Sequence, residues 1–221
     1  MGEDTAYGAH ANPDLLARVP QTARRVLDVG CGAGGLGAAL KAASPDIEVI
    51  GIEPDPILAE RAASHYAAVH RINIETEAPP VPRGSLDAML FGDVLEHLVD
   101  PGAVLARDRG LLAPGGQLLI CVPNVEHWSF VAHLVLGSWR PEPQGLRDRT
   151  HLTWFTRAGM LRLLGQCGYR PLEARPRIFR PEDGRAFADR FAPALAGLGV
   201  DREEWLGRAL PLQWVFVAVP A

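Results

Sequence analysis

The sequence predicts a doubly wound α/β fold, in which a mostly parallel sheet carries helices on both faces. Short apolar runs alternate with longer segments of helical periodicity between residues 24 and 124. Strands buried on both faces have such continuous apolar runs, and an alternation of strands and helices is typical of parallel sheets. Glycines and prolines separate the runs and form no low-complexity tract. A chain of 221 residues fits one large domain, so we expect a single domain over 1–221.

The individual elements follow from the same pattern. Apolar runs predict strands at 24–30, 47–54, 68–72, 86–92, 117–124, 172–179 and 212–219. Helical periodicity predicts helices at 34–44, 54–66, 100–116, 156–169 and 182–208. Asp55 is expected to cap the second helix, because it directly precedes Pro56 at the first helical position. The run Pro114, Gly115 and Gly116 is expected to end the third helix.

Two segments interrupt this alternation. Residues 125–155 follow the fifth predicted strand and contain three tryptophans and three histidines without a clear period. Open α/β sheets bind ligands beyond the carboxyl ends of their strands, so this segment is predicted to form a lid over the substrate. Residues 182–208 are predicted to form a helical insertion between the last two strands, and the sequence indicates no function for them.

Composition narrows the class of protein. The chain has 22 lysines and arginines against 26 aspartates and glutamates, and this net charge of -4 argues against a nucleic-acid-binding surface. Cys31, Cys121 and Cys167 are odd in number and widely spaced, so we expect reduced thiols. The first residues lack a leader pattern, and the apolar runs are too short to span a bilayer. We therefore expect a cytoplasmic protein without a membrane partner.

A glycine loop predicts a nucleotide-type cofactor. Gly30, Gly32 and Gly35 have the spacing G-x-G-x-x-G between the first predicted strand and its helix. Glycines there let a cofactor approach the backbone and the helix N-terminus closely. Glu53 lies about 20 residues further on, at the end of the second strand, where a carboxylate can accept both ribose hydroxyls. These features fit a dinucleotide as well as S-adenosylmethionine.

Asp28 distinguishes the two cofactors. Its carboxylate lies two residues before the first glycine, at the carboxyl edge of the sheet. A carboxylate there is unfavourable beside a negatively charged pyrophosphate, but it suits the ammonium group of a methionine moiety. Charge-assisted hydrogen bonds of this kind contribute about 1.5–3 kcal/mol each. The alternative is that Asp28 only braces the glycine loop through backbone N–H groups.

The chain resembles the class I S-adenosylmethionine-dependent methyltransferases in five motifs that occur in the family's order. They are VLDVGCGAGG, GIEPDP, RINIE, FGDVLEHLVDP and LLAPGGQLLICVPN, and they lie within residues 24–124, the predicted cofactor-binding core. The later stretch DRTHLTWFTRAGMLRLLGQCGY resembles the subgroup of ubiquinone-pathway and sugar-pathway O-methyltransferases. The resemblance implies a small-molecule methyl acceptor, O-methylation of a hydroxyl, and a seven-stranded sheet with an antiparallel last strand.

The resemblance also assigns cofactor contacts. Asp28, Gly30 and Gly32 would line the methionine end of S-adenosylmethionine, and Glu53 would hold the ribose. Asn73 would meet the adenine amine where the family more often has aspartate, which keeps the contact but removes its charge. In the fourth motif, Asp93 would lie near the methionine and the ribose.

Two histidines are candidate catalytic residues. A hydroxyl nucleophile benefits from a base, typically by about 10²- to 10⁴-fold, and an unperturbed histidine titrates near neutral pH. His151 lies in the predicted lid, where the alternative is a structural histidine that bonds a backbone carbonyl. His97 is the second candidate, and its alternative is a polar residue at a helix start.

The spacing of Asp93, Glu96 and His97 at i, i+3 and i+4 predicts that their side chains share one face of a helical turn. The set resembles that of two metal-dependent groups, the ubiquinone-pathway enzymes and the small-RNA 2′-O-methyltransferases. In the RNA enzymes a later histidine completes the divalent metal site, and His151 could play that part here. Asp93 replaces a longer glutamate, and a carboxylate is also favoured at a helix N-terminus without a metal. We therefore expect helix-start chemistry and no metal, with the metal site as the alternative.

Several alternatives stay open at this level. Trp128, Trp139 and Trp154 fit either an aromatic substrate pocket or packing of the lid. The arginines of the lid fit either a substrate anion or a solvated cluster, and they are Arg140, Arg147 and Arg149. The alternative functions are a metal-dependent RNA 2′-O-methyltransferase, an NAD-dependent oxidoreductase and a catalytically silent cofactor-binding module. The sequence identifies neither the acceptor nor the oligomeric state.

Overall fold

The computed structural model describes residues 11–221, which form a seven-stranded sheet with helices on both faces. In chain order the strands are β1 (Arg25–Val29), β2 (Glu48–Ile52), β3 (Ala68–His70), β4 (Leu86–Gly92), β5 (Leu112–Pro123), β6 (Tyr169–Ile178) and β7 (Pro211–Pro220). The helices are α1 (Pro13–Leu16), α2 (Gly35–Ala43), α3 (Pro56–Ala62), α4 (Pro101–Asp108), α5 (Trp128–Val135), α6 (Arg157–Gln166), α7 (Pro181–Gly197) and α8 (Arg202–Ala209).

The strand order is β3-β2-β1-β4-β5-β7-β6. Pairing is parallel from β3 to β5, whereas β7 runs antiparallel to both β5 and β6. The predicted mostly parallel sheet with an antiparallel last strand is therefore confirmed. The order reverses between β1 and β4, which makes a topological switch point where ligands bind in open α/β sheets.

Alternate residues of the central strands supply two apolar layers, one on each face of the sheet. Met89 and Phe91 of β4 belong to one layer, and Ala88 and Leu90 belong to the other. All four are fully buried. Burying a large apolar side chain contributes roughly 1.5–3 kcal/mol. The two layers together fix β4 in the middle of the sheet and define where its carboxyl end lies.

The start of α3 agrees with the sequence. The Asp55 carboxylate accepts hydrogen bonds from the Ile57 and Leu58 N–H groups at 2.8 and 3.0 Å, and Pro56 is the first helical residue. The cap satisfies two N–H groups that have no partner within the helix. The prediction that Asp55 caps this helix is confirmed.

Two element boundaries were predicted wrongly. The helix expected at 100–116 ends at Asp108 and continues as a short 3₁₀ turn, and β5 already begins at Leu112. Pro114, Gly115 and Gly116 lie within β5, where the pairing with β4 shifts between Leu112 and Gln117. A proline and two glycines weaken ladder pairing, so the strand accommodates them in this irregular stretch without ending.

The segment 125–155 is more ordered than its sequence suggested. It contains the helix α5, which was missed because its aromatic and histidine residues obscure the helical period. The expected strand at 172–179 begins three residues earlier, at Tyr169. Between β6 and β7 the chain forms α7 and α8, in the region where a helical insertion was expected.

Cys31, Cys121 and Cys167 are buried and unpaired, in agreement with the expected reduced thiols. Within residues 11–221, every helix is too short or too polar to cross a bilayer.

Candidate active site

A cavity of about 1040 Å³ lies at the carboxyl ends of β1, β2 and β4. Its walls come from the residues that follow these strands and from the segment 144–151, which crosses above them. This is the switch point of the sheet, so the fold itself places this cavity where ligands of α/β proteins bind.

The glycine loop after β1 is shaped by close contact with the fourth-motif segment. Gly30, Gly32 and Gly34 have φ values of 70, 54 and 94°, in the region that favours glycine. A Cβ on Gly30 would lie 2.4 Å from Cγ2 of Val94, which leaves no room for a side chain. The loop therefore exposes bare backbone to the cavity, as close approach of a cofactor requires.

Glu53 is fixed by backbone donors on both carboxylate oxygens. Oε2 accepts a hydrogen bond from the Gly32 N–H at 2.9 Å, and Oε1 accepts one from the Asp55 N–H at 3.0 Å. Burial raises the pKa of Glu53, and these two hydrogen bonds oppose the rise. Each oxygen keeps a further lone pair, so the group can also accept the two hydroxyls of a ribose.

Asp28 lies at the centre of the switch point and is 3% exposed. Its Oδ2 accepts a hydrogen bond from the Tyr66 hydroxyl at 2.6 Å. Burial raises the pKa of Asp28 to about 7, the hydrogen bond from Tyr66 opposes this rise, and the negative charge of Glu53 adds to it. The carboxylate therefore lines the cavity close to its point of half-ionisation at neutral pH.

Asn73 lies on the loop after β3 and lines the cavity, but it is exposed. Its side-chain oxygen accepts the Glu75 N–H at 2.9 Å. The Glu75 carboxylate in turn accepts the N–H groups of Val99 and Asp100, at 2.8 and 3.2 Å. The turn thus joins this loop to the start of α4 and gives Asn73 a fixed backbone position at the cavity wall.

Asp93 directly follows β4 and adopts a left-handed conformation, with φ 58°. Its carboxylate accepts a hydrogen bond from the Gln213 amide of β7, which is itself bonded to the Arg177 guanidinium of β6. Burial raises the pKa of Asp93 to about 6, although the charge of Arg177 and the bond from Gln213 lower it. Asp93 lines the cavity and is tied to the antiparallel edge of the sheet.

Glu96, His97 and His151 form a second cluster, in which one ligand atom of each lies within 4.8 Å of the others. Glu96 is 1% exposed, and its Oε2 has no hydrogen-bond partner. Burial raises the pKa of Glu96 well above its ordinary value, and the charge of Asp93 adds to the rise. Asp93 is absent from this cluster, so three of the four sequence-predicted metal candidates come together.

Both histidines of the cluster are oriented through Nδ1. For His151 this atom lies 3.2 Å from the Leu146 carbonyl oxygen, and for His97 it lies 3.3 Å from the carbonyl oxygen of Thr150. His97 Nδ1 also lies 3.0 Å from the Thr150 hydroxyl, which donates its own proton to Asp148 Oδ1 at 2.7 Å and so accepts from the ring. Because a carbonyl accepts only, Nδ1 carries the proton in each neutral ring and Nε2 is left as an acceptor. Burial lowers the pKa of His151, and the neighbouring His97 lowers it further.

Backbone hydrogen bonds fix the lid relative to the fourth motif. The Leu152 and Thr153 N–H groups both donate to the Glu96 carbonyl oxygen, at 2.8 and 3.0 Å, and the Thr153 hydroxyl donates to the carbonyl of Leu98 at 2.8 Å. These bonds hold His151, the preceding residue, against Glu96. His151 lines the cavity, and the assignment of its segment as a lid over the substrate stays a prediction.

Comparison with known proteins identifies the family. The model of a methyltransferase domain matches residues 2–174. The chain is 30% identical over 179 residues to a ubiquinone biosynthesis O-methyltransferase of Cereibacter sphaeroides (strain KD131), which covers 78% of this chain and 71% of that protein. The protein belongs to the class I S-adenosylmethionine-dependent methyltransferases.

Two further similarities bear on this methyltransferase. It is 38% identical over 112 residues to a trans-aconitate 2-methyltransferase of Methylobacterium radiotolerans, but these residues span 50% of this chain and 43% of that protein. Its fold matches a crystal structure of a SAM dependent methyltransferase from Archaeoglobus fulgidus with a TM-score of 0.65, 17% identity and 93% coverage of both chains. The family favours the methyltransferase prediction over the oxidoreductase alternative.

The cavity of the methyltransferase fits S-adenosylmethionine by the chemistry of its donors. Gly30 exposes its backbone because a side chain there would clash with Val94, Glu53 offers two positioned acceptors, and Asp28 offers a buried carboxylate. S-adenosylmethionine is a nucleoside with an amino-acid end that carries an ammonium group. Its ribose suits the acceptors of Glu53, its ammonium group suits the carboxylate of Asp28, and the exposed backbone at Gly30 allows its close approach.

Aromatic and arginine residues of the lid lie outside the wall of the methyltransferase cavity. Trp128 packs against Phe187 of α7, with ring centroids 5.7 Å apart, while Trp139 and Trp154 pack around Phe130. None of these tryptophans lines the cavity described by residues 11–221. The arginines Arg140, Arg147 and Arg149 are likewise outside its walls, and Arg147 pairs with Glu142.

Three polar residues of the site were not found by sequence reasoning. Tyr66 follows α3, and Arg177 and Gln213 lie on the antiparallel strands, so each is distant in sequence from the carboxylate it serves. Local spacing gives no signal for such partners. The aperiodic position of Gln213 within the apolar run 212–219 is the one visible hint.

We expect Glu53→Gln to weaken the binding of S-adenosylhomocysteine by about 10- to 100-fold, because a charged acceptor of ribose hydroxyls and of two N–H groups is lost. Glu48→Gln is the matched control, since Glu48 begins the same strand and pairs with Arg25 at the protein surface. Calorimetric titration of the two variants measures the effect. Equal affinities in both would contradict the assignment of Glu53.

Proposed function

We propose that this methyltransferase transfers the methyl group of S-adenosylmethionine to a hydroxyl of a small molecule, with His151 as the base. The observation that carries the proposal is the orientation of His151, whose Nδ1 is held by the Leu146 carbonyl so that Nε2 is left to accept a proton. The relative named ubiquinone biosynthesis O-methyltransferase supports the choice of oxygen.

The protein's task in such a reaction is mainly to orient the acceptor. When bound, S-adenosylmethionine supplies a methyl group that is already activated on a sulfonium. Alignment of two reactants can contribute on the order of 7–11 kcal/mol, and a base adds about 10²- to 10⁴-fold. We assign the residues within 24–124 to the cofactor, and the part of 125–155 that holds His151 to covering and deprotonating the acceptor.

We expect His151→Gln to lower kcat by about 10²- to 10⁴-fold. In the wild type, activity should be lost as the pH falls through the pKa of His151, which burial places below its ordinary value, because the protonated ring cannot accept a proton. The assay follows S-adenosylhomocysteine release with small catechols as acceptors.

His133→Gln is the control for this variant, because His133 bonds Ser138 at the end of α5 and lies outside the cavity wall. A His151→Gln enzyme with the wild-type rate and pH profile would contradict the role as base. Cofactor binding without turnover in wild type and variant alike would favour the silent-module alternative.

A divalent cation at Glu96, His97 and His151 is the second candidate. A specific observation favours it, because the Glu96 Oε2 is buried without a partner beside two rings whose Nδ1 atoms are each held by a carbonyl. Metal-binding histidines are commonly held in this way. The residues therefore fit an ion of the magnesium or manganese type, which would lower the pKa of a coordinated hydroxyl and orient it.

If the cluster is a metal site, magnesium or manganese should bind stoichiometrically to the protein saturated with S-adenosylhomocysteine, and Glu96→Gln should abolish the binding because it removes the charged ligand. Glu75→Gln is the matched control, since Glu75 lines the same cavity outside the cluster. Calorimetric titration measures both. Absence of any binding heat in the wild type would leave His151 as a metal-free base.

The charges of the cavity bear on the class of acceptor. Among the described residues its wall has no lysine or arginine, and residues 1–10 contain neither. The wall has six carboxylates, which are Asp28, Glu53, Glu75, Asp93, Glu96 and Asp148. Burial raises the pKa of several, which reduces their negative charge, but the described residues of the wall still offer no lysine or arginine to an anionic acceptor. This supports an uncharged or cationic small molecule over RNA or a tricarboxylate such as trans-aconitate.

We expect an uncharged catechol or one with an amine to be methylated at least about tenfold more efficiently than a catechol with a carboxylate, because the last meets like charges within a low-dielectric cavity. Comparison of kcat/KM across the three matched acceptors tests this. Preference for the carboxylate compound would overturn the assignment of acceptor class.

A further inference from the structure

Tyr66 makes a contact that the cofactor assignment does not explain. It follows the 3₁₀ turn after α3, is 5% exposed, and points its hydroxyl into the switch point between β1 and α2. That hydroxyl accepts a hydrogen bond from the Gly37 N–H at 3.0 Å and donates one to the Asp28 Oδ2 at 2.6 Å. Because one lone pair already faces the Gly37 N–H, the phenolic proton is directed at the carboxylate.

Glycines border the ring of Tyr66, where other residues would place side chains. A Cβ on Gly37 would lie 2.4 Å from the Tyr66 ring, and a Cβ on Gly51 would lie 3.2 Å from it. Gly37 is in the first turn of α2, where N–H groups lack a partner within the helix, and the capping residue Gly34 offers no side chain. The Tyr66 hydroxyl therefore caps α2 from another element and bonds Asp28 with the same atom.

We infer that Tyr66 is a positioning residue, which holds the carboxylate of Asp28 as the acceptor for the ammonium group of the cofactor. The inference rests on the proposed contact between Asp28 and that ammonium group. Tyr66 itself lies outside the cavity wall and acts through Asp28.

The phenol also governs the charge that Asp28 presents. Burial favours the neutral acid, the charge of Glu53 acts in the same direction, and the hydrogen bond from Tyr66 favours the ionised form. The remaining titratable neighbour is Cys31, whose thiol stays protonated because burial and the two carboxylates raise its pKa. Tyr66 is thus the group that favours ionisation of Asp28 while the cavity is empty.

The test is calorimetric titration of S-adenosylhomocysteine into Tyr66→Phe and wild type at pH values near 6.5 and 8.5. Loss of the hydrogen bond raises the pKa of Asp28 from about 7 by about one unit. Binding to the ionised form then weakens by about eightfold at the lower pH and by less than about twofold at the higher pH, relative to wild type. The ratio to wild type removes the titration of the ligand's own amine.

Tyr169→Phe is the matched control, because Tyr169 is equally buried and its hydroxyl donates to the Leu105 carbonyl far from the cofactor residues. It should bind the ligand as wild type does at both pH values. A purely structural role for Tyr66 predicts a loss of affinity that is the same at both pH values, and that result would overturn the inference.

Asp28→Asn separates this inference from the proposal on which it rests. We expect Asp28→Asn to weaken binding and to remove the pH-dependent part of the Tyr66→Phe effect in the double variant. Unchanged affinity in Asp28→Asn would refute the contact between Asp28 and the ammonium group. In the other case, Asp28→Asn weakens binding, but Tyr66→Phe has the same pH-dependent effect in the double variant as in the single one. That result would refute the role of Tyr66 and leave the contact of Asp28 intact.

Discussion

The site depends on the parallel pairing of β1 with β2 and β4. In register, Asp28 of β1 lies beside Gly51 of β2 and Leu90 of β4, so the three strands end at the same edge of the sheet. The residues that follow each strand are therefore brought together by the strand pairing, and contacts between the loops are not needed for this. The apolar layers on both faces hold this register, because a slip of one residue would turn every buried side chain to the opposite face. The clustering of the candidate cofactor residues is therefore a consequence of core packing.

The carboxylates that meet at this edge of the sheet are buried, and burial disfavours their ionised forms. Each carboxylate has a different partner that offsets this effect. Glu53 is compensated by two backbone N–H groups, Asp93 by Gln213 and the nearby Arg177, and Asp28 by Tyr66. The raised pKa of Asp28 and of Asp93 means that burial outweighs these contacts. Since a carboxylate with a raised pKa is destabilised when it ionises, the folded protein loses stability as the pH rises towards and through these values. A cation bound beside these carboxylates would oppose that loss, because it favours their ionised form.

Sequence reasoning predicted the sheet, the glycine loop and the cap at Asp55 because these features depend on neighbouring residues. It failed where geometry depends on distant ones. The expected common face of Asp93, Glu96 and His97 assumed an α-helical turn, whereas the chain turns left-handed at Asp93 and continues as a 3₁₀ turn from Leu95 to His97. Asp93 is thereby directed to Gln213, and its place beside Glu96 and His97 is taken by His151 from the lid.

The tight packing around Tyr66 constrains how this sequence can vary. The phenol occupies the space that a side chain at residue 37 would need, so this position is limited to glycine while a ring is present at 66. Position 51 is restricted mainly by Cys31, whose Sγ would lie 2.7 Å from a Cβ there. A homologue with a small residue at 66 gains room for a side chain at 37 and must cap its second helix in another way. Positions 37 and 66 are therefore expected to change together in evolution, although they are separated along the chain and the glycine carries no functional group.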